Sequence, residues 1–249
     1  MPDPNQNWLP PPDTLALQPG EVHLWRAFLD QPAATFQRLQ ATLSPDEQAR
    51  AARFHFTKDR DHYIVARGIL RTLLGSYLKS DPRSLEFSYN AYGKPGLNSA
   101  AHEPGVRFNL AHSRGLALYA FSLGREVGID VEYMKPDIDV LALARHSFSP
   151  AEQADLRALP TEDRLQGFYN GWTRKEAYIK ARGLGVSLGL DRFDVELKPG
   201  QPAALLHSRE DEHAPARWTL IELDPGEGYA GALAIERQRC RLRCFHWQS

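Results

Sequence analysis

The chain has 249 residues, with 30 lysines and arginines against 31 aspartates and glutamates, a formal net charge of −1 and 42% apolar residues. That balance excludes a bulk polyanion binder, so basic residues must act locally. The apolar fraction is enough for one large core or two small ones, while the longest apolar runs fall well short of the roughly 20 residues that cross a bilayer.

Residues 1–20 are rich in proline and lack apolar periodicity, which predicts an extended arm. Their start, MPDPNQNWLPPPD, has neither the basic residues nor the apolar stretch of a secretory signal, so a cytoplasmic location is expected. Glu21 to Phe28 reads as a first strand. Ser44-Pro45-Asp46-Glu47 is a helix start: a serine cap, proline at the first helical position and a carboxylate three residues after the cap. A longer helix follows from Asp59 to Tyr77, with Tyr63, Ala66, Leu70, Leu73 and Tyr77 on one face. Asp81-Pro82 ends it. Leu85–Tyr89 alternates as a strand, and Gly93-Lys94-Pro95-Gly96 reads as a turn.

Residues 106–110 and 116–123 predict two strands around a His112-Ser113-Arg114-Gly115 turn. Val127–Tyr133 is a further strand and 139–146 a short helix. Ser149-Pro150-Ala151-Glu152 repeats the helix start of residues 44–47, opening a helix to Leu159. A last helix spans Phe168 to Arg182, stopped by Gly183 and Gly185. The remainder, 190–247, reads as short strands with turns at Pro199-Gly200 and Pro225-Gly226. The two matching helix starts, about a hundred residues apart, hint at two similar α+β halves joined near 124–127. Cys240, Leu242 and Cys244 alternate with Arg239, Arg241 and Arg243 as one face of a strand. Reduced thiols fit that pattern better than a metal site, which lacks an evident fourth ligand.

The chemistry concentrates in the middle. Asp130 and Glu132 sit two apart on a strand and so leave the same face, with Ile129 and Val131 pointing the other way. Two adjacent carboxylates repel unless a cation or a basic group lies between them. On the last helix, Phe168, Trp172 and Ile179 form the packed stripe, while Glu176 and Lys180 lie one turn apart. They read either as a surface pair or as groups facing the strand that bears Asp130. Three carboxylates at one point would suit Mg²⁺, which takes oxygen ligands and keeps waters or phosphates in its shell; Mn²⁺ accepts the same set. His112, Lys94 and Arg50 are candidate anion contacts, each of them equally a residue type found on ordinary surfaces.

In this order, Tyr92-Gly93-Lys94-Pro95, Phe108-Asn109-Leu110-Ala111-His112-Ser113, Gly128-Ile129-Asp130-Val131-Glu132 and Trp172-Thr173-Arg174-Lys175-Glu176-Ala177 with Lys180 resemble the 4′-phosphopantetheinyl transferase family, in its large monomeric Sfp-type branch. The similarity runs from about residue 44 to 195. It implies an α+β fold of two pseudo-symmetric halves, each a helix on a small antiparallel sheet. The active site would lie in the cleft between 21–126 and 127–249. It also implies Asp130, Glu132 and Glu176 as Mg²⁺ ligands, Lys180 on the phosphate chain of coenzyme A, and His112, Arg50 and Lys94 on its phosphates. Tyr89, Tyr92, Gly93, Pro95, Asn109, Leu110, Ala111 and Ser113 would line the nucleotide. Two positions depart from the family: Ala111 stands where many members have serine, and Glu47 where some have a phosphate-binding lysine.

The reaction so implied moves phosphopantetheine from coenzyme A to a serine of an apo acyl, peptidyl or aryl carrier protein, with Glu176 or a water it orients as base. Asp130, His112, Glu176 and Lys180 would be the catalytic set. A different Mg²⁺-dependent phosphodiesterase, or a carrier binder without turnover, would use overlapping residues.

Overall fold

The structure is a computed structural model that describes residues 6–12, 14–97, 105–185, 188–236 and 240–248. The first half runs β1 (Glu21–Phe28), α1 (Ala33–Gln40), α2 (Pro45–Ala51), α3 (Thr57–Leu78), β2 (Phe87–Tyr89), β3 (Pro95–Leu97), β4 (Val106–Ser113) and β5 (Leu116–Leu123). The second runs β6 (Val127–Tyr133), α4 (Val140–Ser147), α5 (Pro150–Ala158), α6 (Arg164–Arg182), β7 (Phe193–Val195), β8 (Leu205–Ser208), α7 (Ala214–Arg217), β9 (Trp218–Leu223) and β10 (Tyr229–Glu236), followed by β11 (Arg241–His246). A strand, two short helices, a long helix, a small hairpin and two further strands thus occur twice. Pairing repeats as well, β1-β5-β4 in one sheet and β6-β10-β9 in the other, antiparallel within each set. The chain therefore adopts the expected α+β fold of two pseudo-symmetric halves.

The repeated helix starts have a structural purpose beyond capping. Glu47 accepts a hydrogen bond from Ser44 N at 3.0 Å, and Glu152 from Ser149 N at 2.9 Å, each closing a capping box. Both glutamates are buried, and both reach a cation on the long helix of their half. Glu47 pairs with Arg67 and Arg71 of α3, and Glu152 with Lys175 of α6. Each short helix is thereby fastened to the long one.

Strand alternation sorts the core into layers. Trp25, Tyr119 and Phe121 of the first sheet pack against Val65, Ile69 and Leu73 of α3. The opposite face, with Val22, Leu24, Leu118 and Ala120, meets Ile129, Val131, Leu233 and Ile235 of the second sheet. The outer face of that sheet, Ala232 and Ala234, receives Ala177 and Ala181 of α6. The order is helix, sheet, sheet, helix. Side chains such as Ile129 and Val131, buried completely or nearly so, contribute about 1.5–3 kcal/mol each.

Several elements differ from the sequence reading. Helix α1 was not anticipated: its N-cap is Pro32, which offers no capping side chain, and Leu39 packs tightly over Gly68 of α3 instead. Strand β4 continues through His112 and Ser113, paired with Ala117 and Leu116, so the turn shrinks to Arg114-Gly115. Helix α6 begins at Arg164, before Phe168, and Gly96 lies within β3. Most consequentially, β11 crosses back and pairs in parallel with β1 at the edge of the first sheet, placing Phe245 and Trp247 in the first core.

The described part of the amino-terminal arm lies along this strand, Leu9 exchanging hydrogen bonds with Cys244 and His246. Residues 1–5, 13 and Arg239 lie outside the described residues. Among the described residues neither Cys240 nor Cys244 forms a disulfide; Cys244 is buried, and Arg241 and Arg243 are exposed beside them. Among the described residues no helix is long and apolar enough to cross a membrane.

Candidate active site

Gly128 is the second residue of the acidic strand β6, and its lack of a side chain decides where α6 lies. A Cβ there would fall inside the backbone of Ala177 and Ala181, so only glycine lets the helix settle directly on the strand. That approach sets Lys180 Nζ 2.6 Å from Asp130 Oδ1. Asp130 is buried at 3% exposure, and its second oxygen, Oδ2, is also buried and has no hydrogen-bond partner. Glu132, two residues on, accepts from Ser113 Oγ at 2.8 Å, and Ser113 Oγ in turn accepts from Tyr133 N at 3.1 Å. A β4 residue thus orients a β6 carboxylate.

The electrostatics bind these groups together. Burial pushes Asp130 above the usual carboxylate range despite Lys180. Burial also raises Glu132 and Glu176, and for both the next cause is the charge of Asp130. Burial alone would lower Lys180, but Asp130, Glu176 and Glu132 outweigh it and hold its ammonium protonated. Among the described residues the site is an acidic cluster whose partner cation is its own lysine, Lys180.

Two cavities open beside it. The first, about 480 Å³, is walled by Tyr92, Gly93, Lys94, Pro95, Glu176 and Lys180, with Leu188 to Asp191 opposite. The second, about 340 Å³, takes in Arg50, Tyr63, Arg67, Tyr89, Ala111 and His112. They share Gly93, Pro95, Asn109, Leu110 and Lys180. Arg50 lies exposed over the ring of Tyr63 at 5.6 Å. His112 is solvent-exposed at the cavity wall, yet desolvation by the protein around it, with His62 and Lys180 near, lowers its pKa and favours its neutral form. Asn109 is buried with its Oδ1 accepting from Ile129 N at 2.9 Å, which ties β4 to β6. The ammonium of Lys94 is engaged by Glu126 Oε2 at 2.7 Å and Ala181 O at 2.9 Å.

Known families match both halves. Residues 126–234 fit the 4′-phosphopantetheinyl transferase superfamily, and residues 25–122 fit the amino-terminal part of 4′-phosphopantetheinyl transferases. The 4′-phosphopantetheinyl transferase HetI of Nostoc is 45% identical over 240 residues, 96% of this chain and 98% of the relative. The 4′-phosphopantetheinyl transferase Sfp of Bacillus subtilis is 31% identical over 208 residues, 82% of this chain and 89% of the relative. The chain belongs to the 4′-phosphopantetheinyl transferase superfamily.

The transferase is Sfp-like, and every nucleotide-lining residue expected from sequence except Ser113 lies on one or both cavities, whereas Asp130, Glu132 and Ser113 line neither, Asp130 being held by Lys180 and Glu132 by Ser113. Sequence reasoning missed Arg67, a buried cavity residue whose Nη2 donates to Tyr89 Oη at 3.0 Å. An arginine pair at 67 and 71, inside the apolar stripe of α3, was the available signal. It missed Asn90 as well. Glu47 is no surface residue: it is held below the usual carboxylate range because Arg67 and Arg71 outweigh the effect of burial.

Among the described residues no three His, Cys, Asp or Glu groups are gathered as a ready metal cage. Lys180 holds one oxygen of Asp130, and Ser113 one of Glu132. The donor set nevertheless fits a hard divalent cation, because such an ion relieves the orphaned Oδ2 of Asp130 and three carboxylates raised by burial, Glu132 and Glu176 also by the charge of Asp130.

Proposed function

We propose that the transferase moves 4′-phosphopantetheine from coenzyme A to a serine hydroxyl of an apo acyl, peptidyl or aryl carrier protein, releasing adenosine 3′,5′-bisphosphate. It acts as a cytoplasmic monomer whose halves, 21–126 and 127–249, each supply one wall of the cleft. Asp130, Glu132 and Glu176 would hold Mg²⁺, or Mn²⁺ in its place. When bound, the ion would supply charge neutralisation for the diphosphate.

The protein's own groups account for the remaining needs. Arg50 and His112, in the second cavity, face a phosphorylated nucleotide, with Arg50 the fixed positive charge. The backbone around Tyr92–Pro95 and Asn109–Ala111 lines the base and ribose. Glu176, made more basic by burial and by Asp130, takes the serine proton as the oxygen attacks the phosphorus bearing the pantetheine. The bond from that phosphorus to the bridging oxygen breaks, and Lys180 steadies the charge that develops on the departing nucleotide.

The observation that carries this reading is the buried Asp130 carboxylate, one oxygen unmatched and the other held by Lys180, the residue that lines both cavities. The test is to incubate the protein with coenzyme A, Mg²⁺ and a panel of apo carrier proteins and to weigh the carriers. A carrier heavier by one phosphopantetheine is expected. Nucleotide release with unmodified carriers would mean a phosphodiesterase, and unchanged carriers and coenzyme A would mean a binder.

A further inference from the structure

Helix α6 carries Glu176 and Lys180 near its carboxyl end, where the final carbonyls have no partner within the helix. The other half of the molecule supplies the partners. Asn90, in the turn between β2 and β3, donates from Nδ2 to Gly183 O at 2.7 Å, and Lys94 Nζ donates to Ala181 O at 2.9 Å. Gly183 is the left-handed cap of α6, φ 65°, and its amide returns to Ile179 O at 2.9 Å and Lys180 O at 3.2 Å. Two hydrogen bonds therefore lead from Asn90 to the backbone of Lys180.

The same carboxamide shapes its own turn. Asn90 Oδ1 accepts from Tyr92 N and Lys94 N, each at 2.9 Å. Tyr92, Gly93 and Pro95 of that turn wall the cavities that Lys180 joins. One planar group with donors on one side and an acceptor on the other is needed for both tasks, and asparagine provides it. Lys94 adds a cation at the negative end of the helix. It is only 16% exposed, with Glu126 Oε2 at 2.7 Å and Val127 O at 3.4 Å completing its surroundings.

We infer that Asn90, assisted by Lys94, is a positioning residue: it caps α6 from the opposite half and sets Lys180 in register with the substrate-lined turn. This rests on the coenzyme A reading of those cavities. Lys94 then serves the helix and makes no phosphate contact.

Asn90→Asp isolates the link, because aspartate keeps the two acceptor bonds of the turn but puts an oxygen against Gly183 O. We expect kcat to fall at least about tenfold with KM for coenzyme A within about threefold. In a Lys180→Ala background the same change should lower residual turnover less than about twofold, as expected for two residues acting through one path. Hydrogen exchange in 90–97 and 179–185 should quicken together. Lys94→Met should lower kcat without altering the preference for coenzyme A over 3′-dephospho-coenzyme A.

Full additivity with Lys180→Ala, a loss confined to KM, or faster exchange in 90–97 alone overturns the inference, and a selective loss for coenzyme A in Lys94→Met overturns the part given to Lys94. If the unaltered protein transfers nothing, the coenzyme A reading fails by itself, and the exchange measurement still decides whether Asn90 holds α6.

Discussion

Glu176 is costly to keep charged: burial and Asp130 both raise its proton affinity, from an ordinary value of 4.5. A carboxyl whose folded pKa is raised stabilises the fold below its unfolded value and loses that contribution as pH rises through the folded one. Metal-free protein should therefore lose stability relative to Glu176→Gln, which cannot ionise, as pH rises above the ordinary carboxylate value of 4.5. Added Mg²⁺ should raise the urea midpoint of the unaltered protein more than that of the variant. Transfer should fall by roughly 10²–10⁴-fold with the base removed. Stability and activity would thus move in opposite directions, as at other sites that store charge for function. Parallel midpoints across this pH range would show that Glu176 bears no such burden.

The fastening of α2 to α3 makes a different demand. Glu47 is 1% exposed and neutralises two buried guanidiniums, so Glu47→Ala should strand Arg67 and Arg71 and cost about 3–5 kcal/mol, read as a drop in urea midpoint. The stabilisation from Glu47, whose folded pKa is depressed, is present above its unfolded value and lost as pH falls through the folded one. The cap that positions this glutamate was legible in Ser44-Pro45, and its twin in Ser149-Pro150, because a cap is a four-residue signal. The acidic strand was legible for the same reason: two-residue alternation sorts Asp130 and Glu132 from Ile129 and Val131 without any knowledge of partners. Helix α1 was not, since its ends carry no capping chemistry and its place is decided by contact with α3. His112 and Ser113 looked like a turn because their strand pairing depends on β5. Asn90 carried the local mark of a turn but no sign of its contact with α6, because its partner Gly183 is 93 residues away.

The deepest departure from a linear reading concerns β11, which begins after the second half is complete and finishes the sheet of the first. Its six residues pair with Glu21 to Arg26, and Phe245 lies against Trp25 with ring centres 4.9 Å apart. The first half therefore cannot close without the end of the chain. Its sheet in turn buries Ile129 and Val131, the alternate residues of the strand that presents Asp130. The acidic site thus depends on a core completed far from it. Phe245→Ala should remove about 3–5 kcal/mol, a large share of the roughly 5–15 kcal/mol that domains possess. If the halves unfold as one unit, slow-exchanging amides of β5 and β10, the central strands of the two sheets, should report the same opening free energy and lose the same amount in the variant. A loss confined to β5, with β10 unchanged, would mean that the shared sheet-to-sheet core does not couple the halves. The site on β6 and α6 would then keep its carboxylates in place while the wall bearing Arg50 and His112 loosened around the nucleotide.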